Sequence, residues 1–142
     1  MKEPREVWAA LGATDNEHDT SPYPDLLADD VVVHLPGDNR TEGIAAYRGF
    51  IEALFAGLPD YHAEPEEVMS QGGSVFVHFT ITGTHTGELF GIPASGRAVR
   101  YSGCSLWHVR QDKIAEGWIY PDRAAMLQQL GLDEAPVGRS GV

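Results

Sequence analysis

Asp122 stands where the stretch EGWIYPD ends and an apparent helix begins. Side chains of a strand alternate between its two faces, so Glu116, Trp118, Tyr120 and, if the strand continues, Asp122 share one side. Apolar rings around a carboxyl group disfavour its charged form and raise its pKa above the ordinary value of about 4. A carboxyl group held in this way is suited to general acid/base catalysis at the wall of a cavity.

The same aspartate also has a purely structural interpretation. Asp122 comes directly before a helix predicted at 123–130, where a carboxylate satisfies free backbone N–H groups as an N-cap. The sequence leaves both roles open.

Hydrophobic periodicity predicts the elements that position this residue. Apolar side chains at steps of three and four predict a helix at 43–58 and a short first helix that ends near Leu11, before the turn-forming run GATDNEHDTSPYP. Alternating residues between turn signals predict strands at 31–35, 61–70, 74–85, 99–109 and 113–120. Early helices and late antiparallel strands are typical of an α+β fold, with helices on one face of a curved sheet. We expect one domain over 1–142, with a flexible tail at 133–142.

One face of the predicted strand at 99–109 has the composition of a pocket wall. Tyr101, Gly103, Ser105 and Trp107 lie on this face, which mixes large aromatic residues with small ones. A glycine inside a strand often marks a bend or space left for a ligand. We therefore expect this face to line a cavity.

Composition excludes several functional classes. Twenty-one acidic and ten basic residues give a net charge of −11, which disfavours nucleic acids and anionic membranes as partners. The chain has no apolar run long enough to span a membrane, no secretory signal and one cysteine, Cys104, so we expect a cytoplasmic protein. The six histidines lack the spacing of metal ligands, and no glycine-rich phosphate loop follows a strand. We expect neither a metal nor a nucleotide cofactor.

Two stretches, GTHTGELFGIPASGRAVRYSG and DKIAEGWIYPDRAAMLQQLG, resemble a known family. From about residue 26 to residue 131 the chain resembles the SnoaL-like polyketide cyclases of the nuclear-transport-factor-2-like (NTF2-like) superfamily. The resemblance implies a cone-shaped, cystatin-like α+β fold, in which N-terminal helices wrap a curved antiparallel sheet around a deep pocket. It also implies chemistry without a cofactor. In the family's cyclases an aspartate matching Asp122 is the general acid/base of an intramolecular aldol closure of a polyketide.

Such a closure needs more than one carboxyl group. Removal of a C–H proton flanked by carbonyls leaves an enolate oxygen, which hydrogen-bond donors must stabilise. We expect His34 to assist Asp122 in catalysis, with further donors from Tyr101, Ser105 and His78. A hydrophobic, polycyclic substrate would stack on aromatic residues, for which the candidates are Trp107, Trp118, Tyr120 and Phe50. His34 has an alternative as a hydrogen-bonded core or rim histidine, and His78 fits a pocket or core residue better than a base.

The pocket would also suit other functions. Isomerisation, dehydration, epoxide opening and hydroxylation all remain open, as does a non-catalytic protein that shelters a hydrophobic small molecule. The resemblance further suggests a homodimer or homotetramer formed through the sheet, with contributions from Leu106 and Val109.

Overall fold

The computed structural model describes residues 2–132, so the predicted tail at 133–142 lies outside the described residues. Within the described range the chain forms four helices and six strands. In chain order these are α1 (Pro4–Asn16), α2 (Tyr23–Leu26), β1 (Leu27–Leu35), β2 (Asn39–Glu42), α3 (Ile44–Gly57), β3 (His62–Gln71), β4 (Ser74–Thr84), β5 (Ala98–Arg110), β6 (Lys113–Pro121) and α4 (Arg123–Gln129).

The strands form a single curved, unclosed sheet in the order β2-β1-β6-β5-β4-β3. Neighbouring strands are antiparallel, except that β1 and β6 are parallel. All five predicted strands are present, and the structure adds the short strand β2. Both predicted hairpins are confirmed, since Gln71 pairs with Ser74 and Arg110 pairs with Lys113. The α+β fold predicted from the sequence is therefore correct.

The long strands bury alternate residues, as the sequence predicts. On β5 the buried residues include Tyr101, Ser105 and Trp107. Glycines on this face make room for rings: a Cβ atom at Gly103 would lie 2.6 Å from the ring of Phe79, and one at Gly117 would lie 2.3 Å from the ring of Trp107. Both contacts are shorter than van der Waals packing allows, so these positions require glycine.

The first helix differs from its prediction. Instead of ending near Leu11, α1 continues to Asn16 and buries Val7, Leu11 and Thr14. The Asn16 side chain donates a hydrogen bond to the Ala63 carbonyl (2.9 Å) and accepts one from the Ala63 N–H (2.8 Å). These tertiary contacts outweigh the weak helix propensity of the last residues of α1. The extension brings one more turn of helix against the sheet.

Candidate active site

A cavity of about 350 Å³ lies between α1, α3, the buried face of the sheet and the loop that follows β4. Its volume is within the range typical of small-molecule sites. Most of the wall is apolar, with Trp8 from α1, Phe50 from α3 and Phe90 from the loop among its members. Polar groups are few; they come from Asp15, Asn16, Tyr47, Tyr61, Tyr101, Ser105, Trp107 and Arg123.

Asp15 supplies the carboxyl group of the cavity. It lies in the last turn of α1, and its Oδ1 accepts a hydrogen bond from the Tyr23 hydroxyl at 2.5 Å. Burial raises the pKa of Asp15 to about 7, although the hydrogen bond from Tyr23 lowers it in part. Near neutral pH both protonation states are populated, which is the condition for a group that takes up a proton and returns it.

Tyr23 is itself held firmly. The residue is 0% exposed, its ring lies 5.8 Å from that of Tyr47, and the Arg48 guanidinium lies 5.7 Å above it. Arg48 in turn donates from Nε to the Thr20 hydroxyl at 3.1 Å. Burial, followed by the nearby Tyr47 and Asp15, raises the pKa of Tyr23 far above its ordinary value. Tyr23 therefore remains a neutral donor to Asp15.

Three further phenols line the cavity. Burial raises the pKa values of Tyr47, Tyr61 and Tyr101, and the charge of Asp15 is the next cause for Tyr47 and Tyr61. Among residues 2–132 no side-chain hydrogen bond contributes to these shifts. The three hydroxyls keep their protons and can donate them to a ligand oxygen.

Hydrogen bonds and ring stacking connect the end of α1 to the residues at the start of β3. His18 Nε2 lies 2.8 Å from the Tyr61 carbonyl oxygen, and its ring stacks on Phe55 with a centroid distance of 4.2 Å. Together with the two hydrogen bonds between Asn16 and Ala63, these contacts fix Asp15 and Tyr61 relative to each other.

Four of the residues predicted to bind substrate do line this cavity: Phe50, Tyr101, Ser105 and Trp107. The indole Nε1 of Trp107 donates to the Ser105 hydroxyl at 2.9 Å, which leaves the proton of that hydroxyl free to point elsewhere. Contact of these four residues with a substrate stays a prediction.

Asp122 occupies a different environment from the one predicted. It is exposed and is not among the cavity-lining residues. Strand β6 ends at Pro121, so the strand alternation does not extend to Asp122. Its Oδ1 accepts a hydrogen bond from Ala125 N–H at 3.1 Å, and its own N–H donates to the Ser102 carbonyl at 2.8 Å. In the structure Asp122 is therefore the N-cap of α4, which is its structural interpretation from the sequence.

The remaining predicted site residues, His34, His78, Trp118 and Tyr120, are absent from the cavity lining. His34 Nε2 lies 2.8 Å from Glu116 Oε2, and its ring stacks on Trp118 at 4.9 Å. Trp107 pairs with Gly117 and Leu106 pairs with Trp118, so the inward position of Trp107 directs Trp118 to the outer face. The same register places His78 opposite Cys104, and Cys104 opposite Tyr120, on that outer face. Their predicted placement in the pocket is wrong.

The outer face bears on the predicted homo-oligomer. Leu106 lies there, whereas Val109 packs against the hydrophobic core. Oligomerisation through the sheet stays a prediction.

Comparison with known proteins gives the family. The model of the SnoaL-like polyketide cyclases matches residues 5–130. The chain belongs to the SnoaL-like polyketide cyclase family. No curated protein sequence matches it.

Solved structures with the NTF2-like fold agree with this assignment. IdmH of Streptomyces antibioticus, a candidate polyketide cyclase, is 28% identical over 92% of this chain and 100% of its own, with a TM-score of 0.82. AclR of Streptomyces galilaeus, a candidate hydroxylase, is 24% identical over 94% of this chain and 85% of its own, with a TM-score of 0.80. A candidate SnoaL-like cyclase from Jannaschia sp. CCS1 is 21% identical over 87% of this chain and 90% of its own, with a TM-score of 0.80. The last two show the fold alone.

Sequence reasoning missed part of this SnoaL-like site. Asp15, Asn16, Tyr47, Tyr61 and Arg123 line the cavity but were not predicted to do so. A signal for Asp15 was present, because Trp8, Gly12 and Asp15 follow one another at steps of four and three on a single helix face.

Within residues 2–132, no group of three or more His, Cys, Asp and Glu side chains is placed to hold a metal ion. No helix in the same range has the length and apolar character needed to cross a membrane.

Proposed function

We propose that this protein is an acid/base catalyst of secondary metabolism that closes a ring in a polyketide-derived carbonyl compound by intramolecular aldol addition. The observation that carries the proposal is Asp15, a partly buried carboxyl group whose pKa is raised to about 7 at the wall of an apolar cavity. Membership of the SnoaL-like family and the likeness to IdmH support this class of reaction.

The reaction begins with the charged form of Asp15. Its carboxylate removes a proton from a carbon flanked by carbonyls, and the electron pair of the C–H bond moves into an enolate. Hydroxyls of Tyr47, Tyr61 and Tyr101 line the same cavity and would donate to the enolate oxygen. One well-placed donor of this kind is worth about 2.7 to 4 kcal/mol.

Ring closure then uses the proton that Asp15 holds. The enolate carbon attacks a second carbonyl of the same molecule, forming a C–C bond and an alkoxide. Asp15 returns its proton to the alkoxide and regains its charge. The cycle consumes no oxidant or reductant, so the chain's own residues suffice for the proton transfers.

Other reactions of the same cavity remain alternatives. Hydroxylation is one of them, although the likeness to AclR, at 24% identity, shows a shared fold alone. Isomerisation and dehydration would use the same carboxyl group, and product analysis by mass spectrometry separates all of these from ring closure.

Replacement of Asp15 tests the proposal. Asp15→Asn keeps an oxygen that accepts from Tyr23 but cannot carry the proton, so turnover should fall by about 10² to 10⁴. The first step is measured as enzyme-dependent exchange of the acidic C–H of aryl β-dicarbonyl compounds with D₂O, followed by NMR. Ring closure is then measured on polyketide intermediates.

Asp122→Asn is the matched control. This exposed residue retains its capping function as asparagine, so exchange and turnover should stay near the wild-type values. Full activity in Asp15→Asn together with a loss in Asp122→Asn would reject Asp15 and return the catalytic role to Asp122.

A further inference from the structure

Arg123 is the basic residue of the cavity wall. It is half-buried, and among residues 2–132 no other lysine or arginine lines this cavity. Within the same range its guanidinium takes part in none of the salt bridges, which join His34 to Glu116, Arg40 to Glu42 and His62 to Glu64. A cation beside apolar surface loses part of its hydration, and an anion placed against it would compensate that loss.

Other described arginines either donate to partners within the protein or lie outside the cavity wall. Arg5 donates to the Val68 carbonyl, Arg48 to Thr20, and Arg97 to the Gln129 carbonyl. Arg100 is exposed on β5 and does not line this cavity. Among the arginines of residues 2–132, Arg123 alone lines this cavity, and its guanidinium donates to no described side chain or carbonyl.

The backbone that carries Arg123 is fixed on both sides. Before it, the Asp122 N–H donates to the Ser102 carbonyl, and the Asp122 carboxylate accepts from Ala125 N–H. After it, the Gln129 side chain exchanges hydrogen bonds of 2.7 and 2.8 Å with the backbone of Arg100. The neighbouring carboxylate is therefore engaged as a cap, and the arginine side chain starts from a rigid position.

The net charge of the whole chain opposes the binding of anions. With a net charge of −11, the long-range field repels anions, so an anionic ligand must be held by a local contact. A guanidinium presents paired N–H groups that match the two oxygens of a carboxylate. The apolar remainder of the wall suits a hydrophobic ring system.

We propose that Arg123 is an anion subsite of the cavity, so that the substrate is an amphiphile with a hydrophobic ring portion in the cavity and a carboxylate or similar monoanionic group against Arg123. This inference deepens the proposed function by naming the substrate class, and it rests on that function only in using the same cavity.

A matched pair of fluorescent probes tests the inference without a substrate. The anion 8-anilinonaphthalene-1-sulfonate and its neutral counterpart N-phenyl-1-naphthylamine share a ring system and differ in the sulfonate. Arg123→Gln should weaken binding of the sulfonate probe about tenfold or more, as expected for one charge-assisted contact. Binding of the neutral probe should change less than about twofold, which also shows that the variant is folded. Arg100→Gln removes the same charge from an exposed site and should affect neither probe.

The three tryptophans report where the probes bind. The indole N–H signals of Trp8 and Trp107, which line the cavity, should shift in a ¹H–¹⁵N spectrum, whereas that of Trp118 should not. The inference is overturned if Arg123→Gln weakens both probes equally, if it weakens neither, if Arg100→Gln has the same effect, or if neither probe moves the two cavity signals. A failure here leaves the result of Asp15→Asn untouched, because probe binding requires no proton transfer.

Discussion

Burial and one opposing hydrogen bond set the pKa of Asp15. Burial raises the pKa of this carboxyl group, and the hydrogen bond from Tyr23, which favours the charged form, opposes the rise. Tyr23→Phe removes the donor and leaves the burial in place. The pKa of Asp15 should therefore rise further above 7, measured by ¹³C NMR titration of its carboxyl carbon. The acidic limb of the pH profile of kcat/KM should move to higher pH with it.

Tyr61→Phe is the control for this prediction. Tyr61 also lines the cavity, but its hydroxyl makes no hydrogen bond that shifts the pKa of Asp15. Its removal should shift the titration of Asp15 less than the removal of the Tyr23 hydroxyl. An unchanged or lowered pKa in Tyr23→Phe would show that Tyr23 does not stabilise the charged form.

At the scale of the helix, α4 depends on its cap. Asp122→Ala removes the acceptor of the Ala125 N–H and should destabilise the protein by about 1 kcal/mol in chemical denaturation. Asp122→Asn keeps a side-chain oxygen at the same place and should lose only a fraction of that. Equal losses in the two variants, or none in either, would mean that the observed cap does not stabilise the fold.

The elements show which parts of the site were predictable. Alternation within one strand placed Tyr101, Ser105 and Trp107 correctly, because the period of two is a local property of the sequence. The placement of Trp118 and Tyr120 failed, because it depends on the register between β5 and β6, which shifts between His108 and Val109. The register between two strands cannot be predicted from the pattern of either strand alone.

The predicted end of α1 was wrong for a related reason. Turn-forming residues after Leu11 indicated a loop, yet contacts with distant residues keep the helix to Asn16. Asp15 enters the cavity only because of that extra turn. Both predictions were wrong because they depended on long-range contacts. The strands, helix α3 and the α+β class follow from local patterns and were predicted correctly.

At the scale of the whole molecule, the ionisation of Asp15 lowers the stability of the folded state as pH rises. The pKa of Asp15 is about 7 in the folded protein and near 3.8 in the unfolded chain, so the folded state retains a proton that the unfolded state releases. Between these values the contribution of Asp15 to the free energy of unfolding must fall as pH rises, by at most about 1.4 kcal/mol per pH unit. Above pH 7 the loss is complete and constant.

Asp15→Asn isolates this contribution from the rest of an acidic chain. The other carboxylates titrate in both proteins, so they cancel when the unfolding free energy of the wild type is subtracted from that of the variant. This difference should grow from about pH 4 to pH 7 in favour of the variant and then remain level. Urea denaturation at a series of pH values measures it, with Asp25→Asn, at an exposed residue of α2, as the control for the loss of one charge. A difference that is flat or declines over this interval would mean that Asp15 is ionised in the folded protein well below neutral pH, and such a group would be too weak a base for the proposed proton transfer.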